Sequence, residues 1–168
     1  MKKYILIVIL YSFTVTHAQN DSVYTSLPRL YVTPTANYNW SGFGIKLNLG
    51  YNISNHFSIE LSSGYMTNSD NERNHKFIPI TLGLKYNLNV FRVQSYIFYQ
   101  AGWNFLLKGD DFYNVSNTNS SLGGGFGVGV LIRVTKTLQI DILYSFYKIA
   151  DPEISINSLG LGLNYRIK

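Results

Sequence analysis

The sequence predicts an all-β chain: an eight-stranded antiparallel up-and-down β-barrel that spans a membrane. Three observations carry this. Apolar residues recur with a period of two in segment after segment, which marks strands and not helices. The opposite face of those segments is built from glycine, serine, asparagine and a few charges. The connections alternate between short turns and longer polar loops, as an up-and-down order requires.

At 168 residues the chain fits one domain. Its start, MKKYILIVILYSFTVTHAQN, places Lys2 and Lys3 before an apolar run from Tyr4 to about Val15, then a small-residue site at Thr16-His17-Ala18. The run is too short to span a membrane as a helix, so residues 1–18 read as a secretory signal peptide cleaved after Ala18. Cleavage takes the formal charge from +5 to +3 by removing those two lysines, and no nucleic-acid partner is implied. No cysteine occurs, which excludes a disulfide framework and a lipid-modified N-terminal cysteine. Residues 19–28 form a short polar lead and 29–168 the barrel domain.

The first strand runs from Leu30 to about Trp40, with Leu30, Val32, Ala36, Tyr38 and Trp40 on one face; Pro34 lacks a ladder donor and interrupts it. The second sets Phe43, Ile45, Leu47, Leu49, Tyr51 and Ile53 against Gly44, Lys46, Asn48, Gly50 and Asn52. In the third, Phe57, Ile59, Leu61 and Tyr65 oppose Ser58, Glu60, Ser62 and Gly64. The fourth opposes Ile78, Ile80, Leu82, Leu84, Tyr86 and Leu88 to Pro79, Thr81, Gly83, Lys85 and Asn87. The fifth carries Val93, Ile97, Tyr99, Ala101 and Trp103 against Gln94, Tyr96, Phe98, Gln100, Gly102 and Asn104. The sixth is SLGGGFGVGVLIRV, residues 121–134. The seventh alternates Leu138, Ile140, Ile142, Tyr144 and Phe146 with Gln139, Asp141, Ser145 and Tyr147, and the eighth Leu159 to Ile167 with Ser158, Gly160, Gly162, Asn164 and Arg166. Short turns fall near Asn55-His56, Asn89 to Arg92 and Thr135-Lys136; longer loops fall at about 37–42, 68–76, 106–120 and 150–157.

The polar face decides which side is inside. Lys46, Glu60, Lys85, Arg133, Asp141 and Arg166 share parity with the glycines, and the apolar face carries no charge. A soluble secreted lipid-binding barrel would present a charged exterior, not a ladder of Gly, Ser and Asn. Turned inside out the pattern makes sense, because eight strands enclose an interior only just wide enough to be filled by side chains. The stripe Gly123, Gly125, Gly127 and Gly129 then makes room for longer neighbours such as Lys46, Glu60, Tyr96, Phe98 and Tyr147, while Leu122, Phe126, Val128, Val130 and Ile132 face hydrocarbon. A phosphate-cradling loop is excluded, since the stretch contains neither G-x-G-x-x-G nor a Walker motif. Strands tilted by about 40° and rising about 3.3 Å per residue cross an apolar band of about 25 Å in about ten residues. Tyr51, Phe57, Tyr86 and Tyr165 near the short turns, and Phe43, Tyr65, Trp103 and Phe146 that distance away, read as two aromatic girdles.

The stretches FGIKLNLGYNISNHFSIELSSGY and LGLGLNYRIK resemble the small outer-membrane β-barrel proteins of Gram-negative bacteria, the OmpA- and OmpX-like group, and especially the outer-membrane barrel domains common in Bacteroidetes. The resemblance covers about residues 28–168. It implies an integral outer-membrane location with periplasmic termini and extracellular long loops, surrounded by lipid and lipopolysaccharide. It also implies insertion by the barrel-assembly machinery through a C-terminal strand signal. Tyr165, Leu163 and Leu161 match that signal's alternating positions; Ile167-Lys168 stand where the family has its usual terminal aromatic.

Chemistry-bearing residues are sparse. His17 leaves with the signal, His56 sits in a short turn, and His75 with Asp70 and Glu72 makes the single grouping that resembles a rim catalytic site. No catalytic residues, cofactor or resident metal are expected. The lumen charges should pair, because an unpaired buried charge is costly. A narrow path for ions or small solutes is the alternative use of the same residues. Six of nine acidic residues, Asp70, Glu72, Asp110, Asp111, Asp151 and Glu153, lie in loops, as solvated rim residues or as oxygen ligands for a divalent bridge to lipopolysaccharide. The expected role is therefore a structural or surface-interaction barrel whose loop ligand the sequence leaves unidentified.

Overall fold

Alternation drives pairing around the whole molecule. A computed structural model describes residues 30–70, 73–88, 93–107, 120–150 and 153–167. They form β1 (Leu30–Asn39), β2 (Gly42–Asn52), β3 (Phe57–Asp70), β4 (Arg73–Leu88), β5 (Val93–Leu107), β6 (Ser120–Arg133), β7 (Leu138–Ile149) and β8 (Ile154–Ile167). Each strand pairs antiparallel with the next, and β1 closes on β8 with Leu30 opposite Ile167 and Asn39 opposite Ser158, giving a closed barrel. Closure leaves no sheet edge, which a barrel in lipid must not have. The signal segment 1–18, the lead 19–28, the turn 89–92 and most of the 106–120 loop lie outside the described residues.

Two short turns are built alike. The Ser54 hydroxyl accepts the Phe57 amide at 3.0 Å, and the Thr135 hydroxyl accepts the Leu138 amide at 3.0 Å. Both are local side-chain bonds of the kind that makes Ser and Thr turn residues. Pro34 does not divide β1. The β1–β2 ladder passes through Pro34 opposite Leu47, while the β1–β8 partners skip Thr33 and Pro34 and resume in the same register at Thr35 opposite Gly162.

At the other end the strands outrun the sequence reading. The segment expected as a loop at 68–76 is largely β3 and β4, with Thr67 opposite Lys76 and Asp70 opposite Arg73. The loop expected at 37–42 contracts to Trp40 and Ser41 between β1 and β2. In the expected loop at 150–157, β8 already starts at Ile154. The reason is that the outward alternation stops being apolar there: Thr67, Ser69, Lys76, Lys148 and Asn157 point outward and are polar, while backbone pairing continues.

The outer wall is the apolar one. Leu47, Leu61, Leu82, Ile97, Val128, Ile142 and Leu161 are each at least 40 % exposed. Phe57 packs edge-on to Tyr86 at 5.0 Å between centroids near the short turns. Tyr51 and Tyr165 face outward at that end, and Phe43, Tyr65, Trp103 and Phe146 lie on the outward parity toward the other. Trp40 adds to that second group: it sits in the β1–β2 turn, 91 % exposed, with Tyr38 edge-on at 6.5 Å.

Candidate functional site

The inward residues fill the lumen in three layers. Their positions follow from strand parity, because successive side chains alternate between wall and interior.

Nearest the short turns lie Ser58, Asn87, Gln139, Asn164 and Arg166, all buried. The Asn87 amide donates to the Ser58 hydroxyl at 3.0 Å and the Asn164 amide to the Thr33 hydroxyl at 2.8 Å. The Arg166 guanidinium reaches Gln94 Oε1 at 3.4 Å.

The middle layer is ionic. Lys85 Nζ lies 2.6 Å from Glu60 Oε1, and the Tyr31 hydroxyl donates to the same oxygen at 2.7 Å. Lys85 also sits over the Tyr96 ring, 4.1 Å from its centroid, and the Tyr96 hydroxyl donates to Asp141 Oδ1 at 2.6 Å. A continuous chain Tyr31–Glu60–Lys85–Tyr96–Asp141 thus crosses the barrel between β1, β3, β4, β5 and β7. Lys46 lies above it, 5.5 Å from the centroid of the Tyr147 ring. Lys46, Glu60, Lys85 and Asp141 line one cavity of about 30 Å³; Arg166 lines a second of about 20 Å³ beside it, which Lys85 also borders.

Arg133 does not join this cluster. It shares the inward parity but is the last residue of β6, beside the 134–137 turn, and it is exposed. Among the described residues Glu60–Lys85 is the one ion pair in the lumen, and Asp141 is satisfied by a tyrosine hydroxyl.

The glycine stripe lies against aromatic rings. A Cβ on Gly129 would collide with the Tyr96 ring and one on Gly127 with the Phe98 ring, while Gly123 lies against Asn104 and the Tyr147 hydroxyl. At Gly125 the limit is the backbone of Phe146 and Tyr147 on the neighbouring strand. Gly50 on β2 plays the same part for the Tyr31 ring.

The third layer is apolar. Met66, Phe77, Tyr147, Ile149, Ile154 and Ile156 form a buried cluster at the long-loop end, with Leu106 against it. Phe77 and Ile149 have no exposed surface. Tyr147 joins this stopper to the polar layers by donating to Asn104 Oδ1 at 3.1 Å. Sequence reasoning missed the stopper because Ile154 and Ile156 fall where a loop was expected, and Met66, Phe77 and Ile149 just beyond the strand ends it drew. The signal was nonetheless present: Met66 continues the parity of Ser62 and Gly64, and Phe77 that of Pro79 and Thr81. It also missed Tyr31, which follows the inward parity of Thr33 and Thr35.

The histidines are apart. His56 is exposed in the short turn, its Nδ1 3.1 Å from the Asn87 carbonyl oxygen, and His75 is buried on β4 at the opposite end. The side chains of Asp70 and Glu72 lie outside the described residues. Among the described residues no group of three or more His, Cys, Asp or Glu gathers to hold a metal. Glu153 in the β7–β8 connection pairs with Lys148 at 2.5 Å, which holds its carboxyl below the usual carboxylate range.

A closed antiparallel barrel with a hydrocarbon-like exterior and a polar, packed interior is an integral membrane barrel. The chain belongs to the outer membrane protein beta-barrel domain family, whose model matches residues 5–166. Among solved structures it is similar to Neisserial surface protein A (NspA), with a TM-score of 0.62 and 17% identity over 82% of this chain and 94% of that one. It is also similar to the outer membrane enzyme PagL, with a TM-score of 0.55 and 14% identity over 82% and 99%. A third is Ail, the attachment invasion locus protein of Yersinia pestis, in complex with the heparin analogue sucrose octasulfate, with a TM-score of 0.51 and 19% identity over 82% and 95%. Identities this low speak for the fold. No curated protein matches the chain in sequence.

Proposed function

We propose that this integral outer-membrane protein is a non-enzymatic barrel with a closed lumen, which acts at the cell surface through its long-loop rim. The observation that carries the reading is the filled interior: a hydrogen-bonded ionic layer below an apolar stopper, with cavities of about 30 and 20 Å³ between the described side chains. Such spaces lodge a water or two each, well short of the continuous water column a hydrated ion needs. Planar-bilayer recording tests this. The folded protein is expected to give no reproducible conductance steps; steps that change with Lys46 or Lys85 substitution would favour a narrow channel instead.

PagL shows that this fold can host an enzyme, so absence of catalysis must be argued from residues and not from architecture. His56 and His75 stand at opposite ends of the barrel, so the two do not serve one site. A surface role draws support from two fold relatives, a surface protein and an attachment protein seen with a sulfated sugar.

In this reading the termini are periplasmic, the β3–β4 and β5–β6 ends project outward, and the apolar wall meets lipid and lipopolysaccharide acyl chains. The barrel-assembly machinery would insert the chain through β8. The chain has no cysteine, so orientation is read from single introduced ones. Ser155→Cys should react with a membrane-impermeant maleimide on whole cells and Thr135→Cys should not; the reverse result would invert the orientation.

A further inference from the structure

The apolar wall is not of even thickness. On β1 the outward residues include Pro34 and Ala36, while their partners across the ladders are long: Leu47 opposite Pro34 and Ile45 opposite Ala36 on β2, and Leu161 opposite Ala36 on β8. Ile45, Leu47, Leu161 and Leu163 all stand exposed on either side. The result is a furrow of about 910 Å³ over β1, which runs from Ile140 on β7 across β8, β1 and β2 to Ser63 and Tyr65 on β3.

Its dimensions are those of one lipid leaflet. Four gaps of about 4.8 Å between five strands give a length of about 19 Å. The furrow also climbs: Ile140 is two residues from the short-turn end of β7, Leu163 four from that end of β8, and Ser63 six from that end of β3. Crossing strands tilted by about 40°, it rises about 12 Å, close to half of a hydrocarbon core about 30 Å thick. An acyl chain laid along it starts at the foot of β7 and ends near the middle of the bilayer.

Charge marks the lower end. β7 leaves the turn at 134–137, which is held beside β8 by the Arg166 amide donating to the Thr137 carbonyl at 2.8 Å. Lys136 in that turn is exposed and makes no ion pair among the described residues, and Arg133, also exposed, stands just before it. The described acidic side chains are elsewhere, Glu60 and Asp141 in the lumen and Glu153 at the opposite end. Lys136 precedes Ile140 by four residues, at most about 13 Å of chain, a gap that a lysine side chain and a glycerol phosphate bridge together. The mouth of an apolar furrow therefore meets a cation at headgroup height.

We propose that the furrow over β1 binds one anionic phospholipid of the leaflet on the short-turn side, with an acyl chain lying along Ala36 between β2 and β8 and the phosphate on the Lys136 ammonium. This holds whichever end of the barrel faces the cell exterior. Contact with the apolar banks on both sides holds the chain, and the cation selects a net negative headgroup over a zwitterionic one.

The test is native mass spectrometry of the folded full chain in detergent micelles doped with phosphatidylglycerol or phosphatidylcholine. The expected result is a one-to-one adduct with phosphatidylglycerol, about fivefold more abundant than with phosphatidylcholine, the preference that one exposed lysine gives an anionic lipid. Lys136→Gln should remove that preference. Ala36→Phe, which fills the furrow with an apolar ring, should reduce the adduct about tenfold; Ala101→Phe, the same exchange on the outward face of β5, should leave it unchanged. Unheated gels report whether each variant is folded, and Ser63→Phe replaces Ala36→Phe if that variant is not. Equal retention of both lipids, or an adduct equal in wild type and the furrow-filling variant, overturns the proposal. So does a lipid-free dimer that Ala36→Phe disrupts, which would assign the furrow to a second copy of the chain.

Discussion

Replacing Glu60 by glutamine is the sharpest probe of the ionic layer. The Lys85 and Glu60 side chains are 5% and 13% exposed, so this pair is desolvated, unlike a surface ion pair worth about 0–1 kcal/mol. The substituted amide would keep the shape and a hydrogen bond to Tyr31 but leave the Lys85 ammonium buried with only the Tyr31 and Tyr96 rings and the more distant Asp141. Removing one partner of a buried pair costs about 3–5 kcal/mol. The cation–π contact with Tyr96 offsets about 1–2 kcal/mol of that, which puts the expected loss at about 1–4 kcal/mol. Glu60→Gln combined with Lys85→Met removes the stranded charge and should recover at least half of it. The assay is reversible urea unfolding into phospholipid vesicles, followed by tryptophan emission and by gel mobility of unheated samples. A loss below about 1 kcal/mol for Glu60→Gln, with no coupling in the double-mutant cycle, would show that water reaches this layer and would refute the packed-lumen argument.

Leu82, 64% exposed on the middle of β4, should lose about 2–4 kcal/mol on replacement by arginine, whereas Lys76→Leu, outward on the same strand but beyond the apolar band, should change stability little in the same unfolding assay. Gly129→Val places methyl groups where the Tyr96 ring lies and should cost about 1–3 kcal/mol, seen as a reduced folded fraction on unheated gels. The Glu153 carboxyl is depressed by its hydrogen bond from Lys148 and then by that residue's charge. Whatever stability this pair adds is present above the ordinary carboxylate range and lost as pH falls through the lowered value. In Lys148→Gln the Glu153 midpoint, read by NMR titration of its side-chain carboxyl, should move up toward the ordinary range.

Wall residues were legible in the sequence because lipid keeps their faces almost wholly apolar, with Ser63 and Gly124 as exceptions. From Phe43 to Ile53 and from Leu159 to Ile167, alternation fixes both strand and facing. The interior was less legible for a physical reason. Inward positions answer to the shape of their neighbours: Gly129 is explained only by the Tyr96 ring from β5, and Glu60 meets Lys85 and Tyr31 only after three strands are in register. Parity placed Arg133 inside, but position along the strand put it at the rim. Beyond the apolar band the outward signal disappears although the ladder continues, so Met66 and Phe77 fell outside the strands as drawn and Ile154 inside an expected loop. Pro34 looked like a strand break, yet it stays within β1 because register is held on both sides of it.

Which face of each strand meets lipid decides all the rest, and a nitroxide scan along β4 measures that directly. With no native cysteine to compete, single spin labels from Ile78 to Tyr86 in lipid bilayers report collision with oxygen, which concentrates in hydrocarbon. Labels at 78, 80, 82, 84 and 86 are predicted to show high oxygen accessibility, and those at 79, 81, 83 and 85 low accessibility to oxygen and to a polar nickel reagent alike. Maxima at the odd positions, or no two-residue period, would contradict it.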